Sequence, residues 1–234
     1  MGWWTHGARV QRDAVAQIVP RRGKVYHDWE VKFVPLGGFY QPKPSGRPWW
    51  PRWVGTRQRL EFNNAHVFVD ADLAPLAAMT DLRTLMLPGP GISDAGLVHL
   101  RGMAKMHSLA LIDNHVTSAG LEHLRSMTLL ASLDLDRSRV ESLAPIRQLA
   151  RLRRVLIAST PIADAALTDL KGLDQLEFLD LSETQVTDAG LERLRRLKKL
   201  RTLRVRGTAV SSEAIAALRQ ELPLLVPETP HRSL

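Results

Sequence analysis

Apolar positions recur at a fixed step along most of this chain. Leu73, Leu97, Leu121, Leu143, Leu167 and Leu191 each open a unit; five units span 24 residues, and the third, 121–142, is two residues shorter. Counted from the opening leucine, positions 1, 4, 7, 10, 13, 15 and 20 are Leu, Ile, Val or Met in all six units. The fifth reads Leu167, Leu170, Leu173, Leu176, Leu179, Leu181 and Val186. The three-residue step of positions 1, 4 and 7 predicts a short helix with one buried side, and the alternation of 13 and 15 predicts a strand buried on one face. Position 22 is Asp94, Ser118, Ser142, Asp164, Asp188 and Ser212, all residues suited to capping the helix that follows. Position 18 is Pro90, Asn114, Ser138, Thr160, Thr184 and Thr208, most of which can bond the backbone where the chain leaves the strand. One such unit cannot bury its own apolar edge, so the units must stack in parallel.

The consensus, L-x-x-L-x-x-L-x-x-L-x-x-L-x-L-x-x-T-x-V-T-D-A-G, resembles a leucine-rich repeat over roughly residues 60–226. The stretch LEFLDLSETQVTDAGLERL (176–194) is similar to the ribonuclease-inhibitor-like and F-box-adapter-like subclass, and to bacterial repeat proteins rich in TxVTDAGL. The resemblance implies an α/β solenoid, a horseshoe with a parallel β-sheet on its concave face and short helices on its convex face. It specifies a fold that hosts many binding roles and names none of them.

Both ends of the array read as partial units. Leu60-Glu61-Phe62 followed by Asn63-Asn64 fits the strand and turn of a degenerate leading unit, and 215–227 fits a last helix and short strand stopped by Pro227. The expected organisation is a leader and cap over 1–59, a repeat domain over 60–227 with six full repeats from 73 to 214, and a tail over 228–234. Within the leader, 8–19 suits a helix and 25–33 an amphipathic strand, while 35–53, with five Pro and three Gly, reads as a loop. The strand is expected to close the open edge of the solenoid.

Charge divides the chain in the same place. Residues 1–60 hold 11 Lys/Arg and only Asp13, Asp28 and Glu30 as acids, whereas 61–234 hold 21 of each sign. All six Trp and both Tyr also precede residue 63. Gln11, Arg12, Ala14, Val15, Ile18, Gly23, Val25, Asp28, Trp29 and Glu30 resemble a stretch that follows a short N-terminal membrane anchor in bacterial repeat proteins of this type. Tyr26-His27 and Pro20-Arg21-Arg22 depart from that pattern. The resemblance implies an anchor preceding Met1 in the natural product. It also implies a cytoplasmic or cytoplasmic-face, membrane-associated location, with peripheral membrane contact through residues 1–60. The competing reading is that Trp3 and Trp4 pack on the cap. No apolar run approaches the ~18–20 residues that cross a bilayer.

Chemistry is sparse. The absence of cysteine excludes disulfides, thiolate metal sites and cysteine nucleophiles. No phosphate-binding glycine loop, H-E-x-x-H or G-x-S-x-G occurs, so no cofactor, metal or catalytic residue is expected and the chain is not read as an enzyme. His99 and His123 share position 3 of adjacent units, which repeat copying explains; His107 and His115 have no carboxylate partner implied by spacing. Positions 12, 14 and 16 point away from the core and, over eight strands at ~4.8 Å spacing, would make a concave surface roughly 35 Å across. That surface starts apolar, becomes acidic at Asp134, Asp136 and Asp180, and ends basic at Arg204 and Arg206. Phe178 beside Leu156 resembles an anchor for a partner protein. These seven residues form the candidate partner-binding face. The rival reading is an electrostatic contact with anionic membrane or nucleic acid through residues 1–60 and the run RRLKKLRTLRVR (195–206). Nucleic acid is the weaker choice, because no aromatics interleave with that run. A substrate adapter of a ubiquitin ligase follows only by analogy with the repeat subclass.

Overall fold

In the computed structural model the described residues are Gly23–His27, Gln58–Phe62 and 68–226. They form one eight-stranded sheet in sequential order: β1 (Gly23–His27), β2 (Gln58–Phe62), β3 (Leu82–Met86), β4 (Ser108–Ala110), β5 (Ser132–Asp134), β6 (Arg154–Leu156), β7 (Phe178–Asp180) and β8 (Thr202–Arg204). β1 runs antiparallel to β2, and every later pair is parallel. The architecture is the leucine-rich-repeat solenoid, with the sheet on one face and short helices on the other. β2 is the strand expected of a leading partial unit, and β1 covers the edge it leaves open. Residues 28–33 of the expected leader strand, the helix expected over 8–19 and the loop over 35–53 lie outside the described residues. At the far end the helix Ser212–Glu221 and a bridge from Val226 to Thr202 complete the array.

Forty of the 42 repeating apolar positions are buried. The two exceptions, Val205 and Val210, belong to the last unit, where no further repeat covers them. The three-residue step on the convex side has a direct cause. Most of those helices are 3₁₀, as at Asp70–Ala78, Gly120–Leu124 and Asp164–Leu170, and a 3₁₀ helix brings residues i and i+3 into line. Short α-helical turns occur at Asp94–Leu97 and Asp188–Leu191.

The capping expected of position 22 holds at Ser142, whose hydroxyl accepts from the Ala144 N–H at 3.2 Å, and is corrected by the structure in the other units. The caps are one residue earlier: the hydroxyls of Ser93 and Thr187 accept from the N–H two residues on, and Ser211 accepts from Ala214. Position 22 reaches across to the next repeat instead. Asp94 accepts from the Thr117 N–H at 2.8 Å and its hydroxyl at 2.6 Å, while Thr117 accepts from the Ala119 N–H. Asp70 does the same for Ser93, Asp164 for Thr187 and Asp188 for Ser211. The two bonds from Ser211 hold the Asp188 carboxyl below the usual carboxylate range. Each staple needs space: a Cβ on Gly96, Gly120 or Gly190 would strike Oδ1 of Asp70, Asp94 or Asp164. The D-A-G triplet is therefore a donor-and-recess pair shared between neighbouring units. In the last unit Ala214 stands in place of the glycine, where the following helix is a ten-residue α-helix.

Two further rows tie the units together. Position 17 adopts the left-handed conformation in all six, with φ from 55° to 61° at Asp113, Arg137, Ser159 and Glu183, and glycine at 89 and 207. Its N–H then donates to the next unit, as Asp113 does to the Asp136 carbonyl at 2.8 Å. At position 18, the Asn114, Thr160, Thr184 and Thr208 side chains bond strand-exit carbonyls as expected, while the buried Ser138 hydroxyl finds no partner.

The junction between the third and fourth units lacks two of these ties. Elsewhere position 19 donates to the preceding unit, as in Arg139 N to Val116 O and Gln185 N to Ile162 O, but in the fourth unit position 19 is Pro161 and has no N–H. Position 22 of the third unit is Ser142, whose hydroxyl sits 3.4 Å from Asp169 rather than on the next cap. Ala166 replaces the glycine there, because no carboxylate has to be accommodated.

Two predictions follow from these ties. Asp94→Ala should destabilise the protein by about 2–3 kcal/mol through loss of charge-assisted hydrogen bonds, and Gly120→Ala by roughly 1–3 kcal/mol through overpacking. In the double variant the sum should fall short by at least about 1 kcal/mol, because removing the carboxylate opens the space for the methyl group; strict additivity in chemical denaturation rejects the pairing. By NMR hydrogen exchange, the Leu135 and Arg137 amides, which cross the weakened junction, should exchange about tenfold faster than Leu111 and Asp113 one junction earlier. Equal protection would show that the missing ties do not matter.

Candidate functional site

Strand register builds the concave surface. One row runs Ala110, Asp134, Leu156, Asp180, Arg204 across β4 to β8, and the row beside it runs Ser132, Arg154, Phe178, Thr202. Asp136 and Arg206 lie two residues beyond Asp134 and Arg204, past the ends of β5 and β8. The seven residues singled out from sequence thus occupy neighbouring strands, β5 to β8, of one face.

Phe178 is half-buried and is not a bare apolar anchor. The Arg154 guanidinium carbon lies 4.3 Å from its ring centroid and that of Arg204 lies 5.0 Å away, so two cations share one ring. Contacts of this kind stabilise by roughly 0.5–1 kcal/mol each when exposed, and they fix the aromatic plane. Arg204 also reaches the buried Asp180 carboxylate at 3.5 Å. Burial and then the charge of Arg204 lower Arg154 from the usual arginine value. Arg154 was not among the residues chosen from sequence, although its position, directly across from Phe178 in the next strand, marks it.

The acids are held by backbone donors. Asp134 accepts from the Asp136 N–H at 3.1 Å, and Asp180 from the Ser182 N–H at 3.0 Å. Asp136 accepts from the Ala158 N–H at 2.7 Å and so braces the junction that lacks the other two ties. Burial, with help from the charges of Asp136 and Asp180, raises Asp134 to about 6 against the opposing backbone bond from Asp136. Burial likewise raises Asp136.

Elsewhere the polar residues noted from sequence are engaged locally. His123 accepts a bond from Arg101 at 2.8 Å, and burial together with that guanidinium lowers its pKa. His107 lies 2.7 Å from the Lys105 carbonyl. In the basic run, Arg195 pairs with Glu192 and Glu221, and Lys199 bonds Gln175. Among the described residues no helix is long and apolar enough to cross a membrane.

No family model matches the chain, and no curated protein matches it. Among solved structures it is similar to the internalin inlF of Listeria monocytogenes str. 4b F2365, with a TM-score of 0.52 at 23% identity over 66% of this chain and 49% of that one. It is also similar to internalin C2 of the same strain, with a TM-score of 0.48 at 22% identity over 70% of this chain and 75% of that one. The chain therefore spans about half the length of inlF. What the likeness to inlF carries is the fold, a leucine-rich-repeat protein with one parallel sheet.

Asp134 gives a pH prediction. Its folded value of about 6 stands above that of an unfolded aspartate, so between those two values the folded state holds a proton that the unfolded state has released. Stability from this group therefore falls as pH rises through that window. Asp134→Asn should raise stability at pH near 7.5 by roughly 1–2 kcal/mol, and the gain should vanish near pH 4. Thermal midpoints of both proteins at the two pH values check it; a gain independent of pH would assign the effect to packing.

Proposed function

We propose that this chain is a non-enzymatic interaction module that recognises a partner protein on its concave sheet through Asp134, Asp136, Leu156, Phe178, Asp180, Arg204 and Arg206. The observation that carries the reading is the Arg154–Phe178–Arg204 stack standing beside half-buried carboxylates on adjacent strands. Aromatic and arginine side chains dominate binding energy at protein interfaces, and here neighbouring contacts already hold them in place. A rigid parallel sheet lowers the ordering cost of binding because its backbone is fixed before the partner arrives. We also take the repeats to be of the ribonuclease-inhibitor-like subclass. The repeat domain spans 60–227, between a leader of 1–59 that follows a short membrane anchor and a tail of 228–234.

Affinity capture tests the reading with the full chain and its Phe178→Ala/Arg204→Glu variant as baits. A partner retained by the native chain should bind the variant at least about tenfold more weakly, the loss of roughly 1.4 kcal/mol expected from one interface anchor. Equal retention by a variant with an unchanged thermal midpoint would exclude the concave face.

A further inference from the structure

Residues 68–226 carry nearly balanced charge, 20 Lys/Arg against 19 Asp/Glu, but positive charge is in excess on one face and negative charge on the other. Positions 2–11 of the six units, which cross the convex helices and descend to the strand, hold 14 Lys/Arg and 6 Asp/Glu. Positions 12–24, the sheet and its exit turns, hold 5 and 10. The convex surplus is ordered. Position 5 follows the last residue of each helix and is Arg101, Arg125, Arg147, Lys171 and Arg195 in five successive units. A cation there suits the unpaired carbonyls of a helix end, but these helix segments are only three to seven residues long and supply little dipole. Arg125 and Arg195 pair with glutamates, whereas Arg147, Lys171 and Arg196 form no salt bridge among the described residues. Lys171 and Arg196, with Arg193 and Arg195, line a shallow open groove between the last two units.

We infer that the convex face is a docking surface for an anionic phospholipid bilayer. A row of long, exposed cations on an outward-curving face gains from any dense layer of phosphates, and each Lys or Arg held near such a surface strengthens binding about fivefold. Nucleic acid fits less well. The one groove described on this face is shallow and carries no aromatic side chain on which bases could stack: among residues 68–226 the aromatics are Phe68, which is buried, and Phe178, which is on the concave side. Lipid headgroups need neither groove nor stacking, because they move laterally to meet fixed cations. Contact through this face leaves the concave sheet open, so the inference stands apart from the partner reading.

Vesicle flotation with the full chain tests it, using phosphatidylcholine alone and phosphatidylcholine with about a quarter phosphatidylglycerol. The native chain should float with the anionic vesicles, remain behind with the neutral ones, and be released by high salt. Arg147→Glu/Lys171→Glu/Arg196→Glu should weaken binding at least tenfold with little change in thermal midpoint, and the corresponding triple Gln variant should lose less. Equal flotation of the native and Glu proteins would overturn the inference and move the lipid contact to residues 1–60. Equal binding to neutral vesicles, or tighter binding to a duplex oligonucleotide than to anionic vesicles, would overturn it as well.

Discussion

At four junctions a carboxylate passes from one repeat to the cap of the next and orients the stacking on which the other features depend. Apolar burial brings the units together but has no direction, so it fixes neither their rotation nor their register. The Asp94–Thr117 pair and its counterparts supply direction, since two hydrogen bonds to one carboxylate define both distance and angle. The same hydroxyl then accepts from the first turn of its own helix, so the stacking contact and the helix start are one network. Sheet register is kept at every junction, and it is register that lines up Asp134, Leu156, Asp180 and Arg204.

That alignment has an energetic side. Asp134 and Asp136 hold charge in partly desolvated positions, where the backbone donors compensate incompletely. A sheet face evolved only for stability would carry short neutral side chains there, as the early strands do at Ser108 and Ala110. The cost falls on β5, next to Arg154 and within two strands of Phe178.

Much of this was legible in the sequence because the repeat reads the same physics six times. Leu73 through Val210 gave the core, the strands and the solenoid, and position 18 gave the turn bonds at Asn114, Thr160, Thr184 and Thr208. Position 22 was misassigned for an instructive reason: an aspartate before a helix is a good cap locally, and only the adjacent repeat reveals the longer reach that Gly96 and Gly120 make room for. Arg204 was among the residues legible in the sequence, but its stacking with Arg154 over Phe178 was not, because side-chain stacking across strands depends on rotamers, which spacing does not encode. The positive row at position 5 was in the sequence as well, but it emerges only when the units are superposed rather than read as a single run near 195–206.

The poorly tied junction at Pro161 and Ser142 bears on how the chain reaches its folded state. In a linear array, stability is a chain of neighbour couplings, and the weakest coupling decides how many units melt together. Here the break falls after three full repeats, leaving three on either side. The array then has a natural half-folded species, in which one block is formed while the other is still a disordered chain. Asp136, bonded across the break to Ala158, is the carboxylate positioned to couple the two blocks into one cooperative transition.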